Sequence, residues 1–412
     1  MPHPTRKDPS VKKSLLARGV AAGVAIATSA AFLVTLAPTA HAAVPVIVAV
    51  GSDTTQDFMG SILNGAGQYN VKAQQPTALT VPADAPTCTV AQTYHTPAGA
   101  GEVLAPNGSG AGRNALKAEE TAAAGSPRGC IDIARSSGGP RGVGAGLDSA
   151  TMQYYAFALD SVGVVSTSLA APGTISQADL LKVYNCTFTD WSQLPGGGSG
   201  PIQRYIPQAG SGTRTFFISD LLGGFDPTTV SNASCPAVNQ SFEENQATQV
   251  LAADHEKAIL PFSTGQWIFQ ANNKINPSID LRNGAKMIGQ ITTGVGTNAN
   301  TVRWNTTDVQ YENNAGTGAT TPVNEANVVL NTPVPDFHGI RYVYNVLDTV
   351  SPDYSTARGL VGFDNVAAGA KSPLCSNSKR TTILSFGFQP LSTTGGGGTN
   401  LAGSSCRFYP PA

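Results

Sequence analysis

The chain has 412 residues, of which 41% are hydrophobic and only 12% charged, and its formal net charge is −1. This length favours two domains of about 100–200 residues each. The small net charge excludes charge-driven disorder and disfavours a nucleic-acid-binding protein, because such proteins usually carry a basic surplus. The 45 Gly and 28 Pro indicate a globular protein with many turns.

Residues 1–42 have the composition of a secretory signal peptide. A basic stretch precedes the apolar run 19–36, and Ala40-His41-Ala42 is a small-x-small cleavage site. Pro38 ends the apolar run, which disfavours the alternative of a membrane anchor. No Cys lies at the cleavage point to carry a lipid, and no later apolar run is long enough to span a membrane. We therefore expect a secreted protein whose mature chain, with 20 basic and 25 acidic residues, has a net charge of about −5.

Four polar turns containing glycine lie between strand-like and helix-like segments. The first follows the apolar run 44–50, the second precedes the helical residues 113–124, the third follows 131–134, and the fourth precedes 214–222. In an open α/β sheet, ligands bind at the carboxyl ends of strands, where helix N-termini present N–H groups that attract anions. One such turn is typical of an ordinary helix cap. The four together predict an anion-binding site.

Two later segments, 154–165 and 339–346, are predicted to be strands that cross from one lobe to another. Ser176, with an acidic residue three positions later, predicts the start of a helix. Residues 290–330 are rich in Thr, Asn and Gly, and either an irregular β excursion or a surface loop is compatible with them. Residues 391–405 are expected to be a flexible stretch held by a disulfide.

All six cysteines follow the predicted leader, and an even number in an exported chain favours disulfides over free thiols. No CxxC pair or Cys/His cluster in the sequence indicates zinc. Among the possible pairings we expect neighbours in sequence to pair, as Cys88–Cys130, Cys186–Cys235 and Cys375–Cys406. Each would close a loop of some tens of residues and stabilise the fold by roughly 3–4 kcal/mol.

The common catalytic motifs are missing from the sequence. Asn107 and Ala209 stand where the first glycine of a G-x-S-x-G nucleophile turn would be, and no Walker A lysine follows the glycines. None of the histidines left after processing lies near a recognisable nucleophile or metal-binding pattern. We therefore expect no catalysis, no cofactor and no metal.

The segments 174–191, 210–217, 259–268 and 341–346 resemble the PstS-like phosphate-binding proteins of ABC importers. The similarity covers most of the chain from about residue 46 to residue 390. It implies an α/β periplasmic-binding-protein fold of class II, in which two crossover strands join two lobes and the ligand lies in the cleft between them. The lobe limits we predict are 44–160 with 345–412 for lobe 1, and 161–344 for lobe 2.

The resemblance also implies which residues bind the ligand. The family holds phosphate with hydroxyl and backbone donors, an Asp in the third turn, and an Arg ahead of Ser-Gly-Thr in the fourth. Here the third turn carries Arg135 and two serines instead of the Asp, and the fourth turn lacks its leading Arg, so Arg135 and Arg214 are expected to supply positive charge. Asp53 is either an acceptor for a ligand proton or the cap of the first helix. The predicted ligand-binding residues are Ser52, Asp53, Thr54, Thr55, Ser109, Gly110, Arg135, Ser136, Ser137, Gly210, Ser211, Gly212, Thr213 and Arg214.

The leading hypothesis is a secreted solute-binding protein that captures phosphate or a similar oxyanion for ABC-type uptake, with a transporter permease as its partner. The alternative is a secreted binding or adhesion module that keeps the fold without small-anion capture. The missing lipidation Cys favours this alternative, because the receptor of an importer in a cell with one membrane must stay near it. An enzyme on the same scaffold is a third hypothesis that no motif supports.

Overall fold

The computed structural model describes residues 47–65, 67–72, 76–77, 103–120, 131–273, 276, 278–288, 290–293, 300–303, 339–362, 372–375, 377–391 and 408–409. The predicted signal peptide, three of the six cysteines (Cys88, Cys130 and Cys406) and the predicted flexible stretch beyond Leu391 lie outside these residues. Within them, no helix has the length and apolar character that a membrane crossing requires.

The structure alternates short strands and helices. The strands are β1 Ile47–Gly51, β2 Gln68–Asn70, β3 Pro76–Thr77, β4 Val103–Leu104, β5 Ile133–Ser136, β6 Met152–Ser166, β7 Ile175–Ser176, β8 Gln203–Pro207, β9 Asn239–Phe242, β10 Ala258–Ser263, β11 Lys286–Met287, β12 Gln290–Thr293, β13 Asn300–Arg303, β14 Ile340–Asp348, β15 Gln389–Pro390 and β16 Phe408–Tyr409. The α-helices are α1 Gln56–Ile62, α2 Ser109–Glu120, α3 Gln177–Tyr184, α4 Gly212–Phe216, α5 Thr264–Asn272, α6 Tyr354–Val361 and α7 Arg380–Ser385.

The long strand β6 belongs to both halves of the main sheet, whose order is β2-β1-β5-β14-β6-β10-β8-β9. Its first part pairs antiparallel with β14, and residues 162–166 pair antiparallel with β10. On the β14 side, β1 is parallel to β2 and β5; on the β10 side, β8 is parallel to β9 and β10. The crossing strands predicted at 154–165 and 339–346 are therefore confirmed as β6 and β14.

The hydrophobic core divides along β6. One cluster of buried side chains is drawn from residues 162–288, and two further clusters are drawn from residues 47–158 and 343–391. In β1, Ile47 and Ala49 face one of these two clusters while Val48 and Val50 face the other, because successive side chains of a strand point to opposite faces. This buried strand is the one that the apolar run 44–50 predicts. The lobe limits themselves stay a prediction.

Local signals along the chain also agree with the structure. The Ser176 hydroxyl caps α3 by accepting a hydrogen bond from the Asp179 N–H. Cys186 and Cys235 form the predicted disulfide, and Cys375 is disulfide-bonded as well. The other two predicted pairings each include a cysteine outside the described residues and stay predictions. Of the stretch 290–330, the described part forms the antiparallel pair β12 and β13.

Candidate functional site

The predicted turns lie at the carboxyl ends of strands. Residues 52–55 follow β1, residues 136–137 end and follow β5, and residues 210–213 follow β8. The turn at 108–110 begins α2, and its neighbour Asn107 makes an isolated bridge to Gly51 at the end of β1. The parallel pairing of β1 with β5 brings their turns to the same edge of the sheet.

The fourth turn contacts the turns of the other half of the sheet directly. The Gly110 N–H donates to the Gly210 carbonyl at 2.8 Å. At Gly212, a Cβ atom would lie 2.6 Å from the Ser109 Oγ and 2.8 Å from the Ser137 Oγ, distances that real Cβ contacts do not reach. Glycine is therefore required at position 212, because the two halves of the sheet approach each other closely there.

Six hydroxyl side chains gather at this contact, and each is at most 1% exposed. We call them the hydroxyl cluster: Ser52, Thr54, Ser109, Ser137, Ser211 and Thr213. The Ser137 Oγ lies 3.2 Å from both the Ser52 Oγ and the Ser109 Oγ, and the Ser137 N–H donates to the Ser109 Oγ at 2.9 Å. Buried hydroxyls at this density form a site that presents hydrogen-bond donors.

A carboxylate already receives two of these donors. Thr54 donates to Glu244 Oε1 at 2.7 Å, and Ser211 donates to Glu244 Oε2 at 2.9 Å. Thr54 follows β1 and Ser211 follows β8, so the Glu244 side chain bridges the two halves of the sheet. The Thr54 and Thr213 hydroxyl oxygens are 3.5 Å apart. The cluster therefore binds an oxyanion group in this structure, and that group belongs to the protein.

The two arginines predicted to bind the ligand are occupied elsewhere. Arg135 is fully buried and donates to the backbone carbonyls of Ala49, Gly51 and Ser52 at 2.9–3.0 Å. Burial lowers the pKa of Arg135 to about 9, so it stays charged at neutral pH. Arg214 donates to the Pro207 carbonyl and to a glutamine side chain. Their contacts are those of groups that hold the turns in shape.

The remaining predicted residues are close by without joining the hydroxyl cluster. Ser136 donates to the Gly138 carbonyl at 2.7 Å, within its own turn. The Thr55 hydroxyl is buried and has no hydrogen-bond partner among the described residues. The Asp53 carboxyl caps no helix, because neither of its oxygens accepts a hydrogen bond from a described N–H group.

Asp53 is fully buried, and among the described residues neither of its oxygens has a hydrogen-bonding partner. Oxygens of Asp53, Glu243 and Glu244 lie within 4.8 Å of one another, and we call these three residues the acidic cluster. Burial, reinforced by the negative charges of Glu244 and Glu243, raises the pKa of Asp53 well above its usual value. Among the residues that the structure describes, these three form a group that could hold a metal ion.

An ion pair between the two crossing strands lies next to the hydroxyl cluster. Arg341 on β14 donates to the Asp160 carboxylate on β6 at 2.8 Å, and both side chains are almost completely buried. A second contact of Arg341, at 3.3 Å, is to the Thr54 hydroxyl. This guanidinium contact to a hydroxyl of the cluster thus comes from a crossing strand and not from a turn.

Glu243, Glu244 and Arg341 were not predicted from the sequence to lie at the site. The acidic pair follows β9 directly, and β9 is parallel to β8, so the pair lies at the same sheet edge as the turn 210–213. The rule that located the other turns would have found it if β9 had been recognised as a strand. Two adjacent acids were also a signal in a chain of which only 12% is charged. Arg341 lies inside a predicted strand, where no turn marked it.

The model of the PBP superfamily domain matches residues 37–331, which is well over half of the chain. The chain belongs to the PBP superfamily. This assignment agrees with the fold class expected from the sequence, and the mixed α/β structure with its two crossing strands is that of a two-lobed PBP protein. A comparison with curated protein sequences finds no match.

Solved structures similar to this PBP protein include an ABC-type phosphate transport receptor from Vibrio cholerae, at 18% identity over 84% of this chain and 99% of the other, with a TM-score of 0.42. A putative phosphate ABC transporter substrate-binding protein from Clostridium perfringens, solved with bound phosphate, has 13% identity, the same coverages and a TM-score of 0.46. A phosphate-binding protein from Stenotrophomonas maltophilia has 14% identity over 85% and 91% of the two chains and a TM-score of 0.40. These likenesses are distant, and the superfamily rests on the family match alone.

Proposed function

We propose that this protein is a secreted solute-binding protein that captures phosphate or a similar oxyanion between its lobes, without catalysis. The observation that carries the proposal is the Glu244 carboxylate, which accepts hydrogen bonds from Thr54 on one half of the sheet and from Ser211 on the other. A group of donors that binds one oxyanion in a buried site can bind another of similar size. Uptake through an ABC permease is the further expectation.

Ligand capture requires the Glu244 carboxylate to leave the hydroxyl cluster. An incoming oxyanion would take the hydrogen bonds that Thr54 and Ser211 now give to Glu244, and Arg341, 3.3 Å from the Thr54 hydroxyl, would add a charged donor. Each hydrogen bond to a charged group contributes about 1.5–3 kcal/mol. Glu244 bridges both halves of the sheet. Its displacement would therefore couple the exchange of ligand to the opening of the two lobes.

The test is calorimetric titration of protein dialysed into a buffer free of phosphate and sulfate, with phosphate, arsenate and sulfate injected in turn. We expect saturable binding of at least one of these anions and no turnover of a chromogenic phosphate ester. Native mass spectrometry of the protein as purified is a second readout, because a trapped anion is identified by its mass.

The double variant Ser211→Ala with Thr213→Val removes two hydroxyls of the fourth turn. It should weaken anion binding at least about 100-fold, since two charge-assisted hydrogen bonds are lost. Ser219→Ala, which removes a hydroxyl on the exposed surface just after α4, is the matched control and should leave binding unchanged. Unchanged affinity in a correctly folded double variant would remove the fourth turn from the site. No heat with any millimolar oxyanion would overturn the proposal and favour a binding or adhesion module.

A further inference from the structure

The acidic cluster brings three buried carboxyl groups close together. Three carboxyl groups, those of Asp53, Glu243 and Glu244, converge with oxygens within 4.8 Å, and none of the three residues is more than 4% exposed. Like charges that approach this closely in a buried site repel strongly unless a proton or a cation lies between them. A close cluster alone does not distinguish these cases.

A second observation concerns the side chain of Asp53. It is fully buried and directed at the other two carboxylates, yet neither of its oxygens accepts a hydrogen bond from a described N–H or hydroxyl group. Buried carboxylates in proteins are satisfied by donors, by an ion pair or by a metal ion. The nearby Arg135 interacts electrostatically with Asp53, but its hydrogen bonds go to backbone carbonyls and to Asn70 and leave the Asp53 oxygens without a donor.

A neutral oxygen lies beside the same turn. The Asn245 side chain is buried and contacts the Asp53 carbonyl through its Nδ2 at 3.4 Å, while its Oδ1 has no hydrogen-bonding partner among the described residues. Carboxylates and amide oxygens together are the ligands that hard divalent cations prefer. Neighbouring groups also fix the position of two of the carboxylates: Gln208 donates to Glu243 at 2.9 Å, and Thr54 and Ser211 donate to Glu244.

We propose that Asp53, Glu243 and Glu244 form a binding site for a hard divalent cation of the calcium type. Calcium binds oxygen at 2.3–2.6 Å, so two of its ligand oxygens lie no more than about 5.2 Å apart. The spread of the acidic cluster satisfies this limit as it stands. Zinc and copper are disfavoured, because none of the three residues offers nitrogen or sulfur.

Cation binding goes beyond oxyanion capture and does not depend on it, since the cation can be tested alone. The full mature chain is treated with EDTA, dialysed into a buffer free of phosphate and sulfate, and titrated with CaCl2, with MgCl2 and with NaCl at matched ionic strength. Calorimetry should detect one site for calcium. At a calcium concentration about 100 times the dissociation constant, the Tm should rise by roughly 3–4 °C, whereas NaCl should have no such effect.

Variants locate the site. Asp53→Asn and Glu243→Gln should each weaken calcium binding at least about 10-fold, because each removes a charged ligand. Asp226→Asn changes an exposed carboxylate that caps a short helix, and should bind calcium like the unmodified protein. Circular dichroism checks that every variant is folded.

Absence of calcium heat and of a Tm shift up to millimolar CaCl2 would overturn the proposal and leave a shared proton to hold the carboxyls together. Calcium binding equal to wild type in both Asp53→Asn and Glu243→Gln would overturn it as well.

Discussion

Two buried aspartates lie at the same site and differ in every partner. Asp160, on β6, accepts hydrogen bonds from Arg341 at 2.8 Å, from the Ser263 hydroxyl at 3.0 Å and from the Gly265 N–H at 2.9 Å. Asp53, in the turn after β1, has no donor among the described residues and faces two further carboxylates. Both side chains are 0% exposed, so burial does not explain the difference.

We interpret Asp160 as a structural charge, and the binding role of Asp53 is the proposal made above. Asp160 is neutralised by its ion pair and links β14, β6 and the start of α5, so it stabilises the crossing strands that join the two halves of the sheet. Asp53 accepts no hydrogen bond from a described donor, and burial beside two other carboxylates disfavours its ionised form, which raises its pKa. Groups with strongly perturbed ionisation and no structural partner are concentrated at functional sites.

The largest effect is expected from removing the compensated charge. Asp160→Asn leaves Arg341 buried without its counter-ion, and we expect the free energy of unfolding to fall by about 3–5 kcal/mol. Urea unfolding followed by circular dichroism measures this loss, with Asp226→Asn as the control because Asn caps a helix as well as Asp does. A loss below about 1 kcal/mol would contradict the structural role assigned to the ion pair.

Glu244→Gln tests the competition between the protein's own carboxylate and a ligand for the hydroxyl cluster. Because the variant removes the negative charge that occupies the Thr54 and Ser211 hydroxyls, we expect oxyanion binding in EDTA-containing buffer to tighten by about 10-fold, or about 1.4 kcal/mol. Calorimetry measures the affinity, and Glu256→Gln, at an exposed carboxylate, is the control. Weaker binding in Glu244→Gln would show that the carboxylate takes part in ligand binding instead of opposing it.

Asp348, a third buried aspartate, lies between the two extremes. It accepts hydrogen bonds from the Thr151 hydroxyl at 3.0 Å and from the Val350 N–H at 2.9 Å, but it has no cationic partner among the described residues. Burial raises the pKa of Asp348 to about 6. Between about pH 4 and pH 6 the folded protein therefore keeps a proton on Asp348 that the unfolded chain has already released. The stability of the folded protein falls as the pH rises through this range.

Asp348→Asn should remove this pH dependence. As the pH rises from about 4 to about 6, we expect the free energy of unfolding of the wild type to fall relative to that of the variant, by an amount on the order of 1 kcal/mol. Urea unfolding at several pH values provides the measurement. A constant difference across the range would contradict the raised pKa.

The smallest effect on stability is expected at Asp53 itself. In EDTA-containing buffer at pH 7, Asp53→Asn should change the free energy of unfolding by no more than about 1 kcal/mol, and in the stabilising direction, because a neutral amide replaces a carboxyl group that burial and neighbouring charges disfavour in its ionised form. Urea unfolding of Asp53→Asn and of Asp160→Asn under the same conditions compares the two changes in stability directly. A loss as large as that of Asp160→Asn would mean that Asp53 is also a structural charge.

The sequence determined the elements whose causes are local. The apolar run before the first turn forms β1, Ser176 caps α3, and the Gly/Ser/Thr turns follow strands because glycine permits close approach and short hydroxyl side chains suit helix starts. These signals act over a few residues, so they can be recognised without knowing the path of the chain. The Cys186–Cys235 pairing was also predictable, from the predicted signal peptide and the neighbouring positions of the two cysteines in the sequence.

Only the tertiary structure decided which charges reach the site. Thr54 and Glu244 are separated by 190 residues, and their hydrogen bond depends on β9 pairing in parallel with β8. Arg135 lies beside a predicted turn, and this position suggested that it binds the ligand. Its guanidinium instead donates to carbonyls at the end of β1, because buried carbonyls need donors. The ion pair of Asp160 depends in the same way on Arg341, which reaches the site from a distant crossing strand. A side chain's direction and partners follow from the assembled sheet, whereas residue type and spacing fix only where along the chain a site can form.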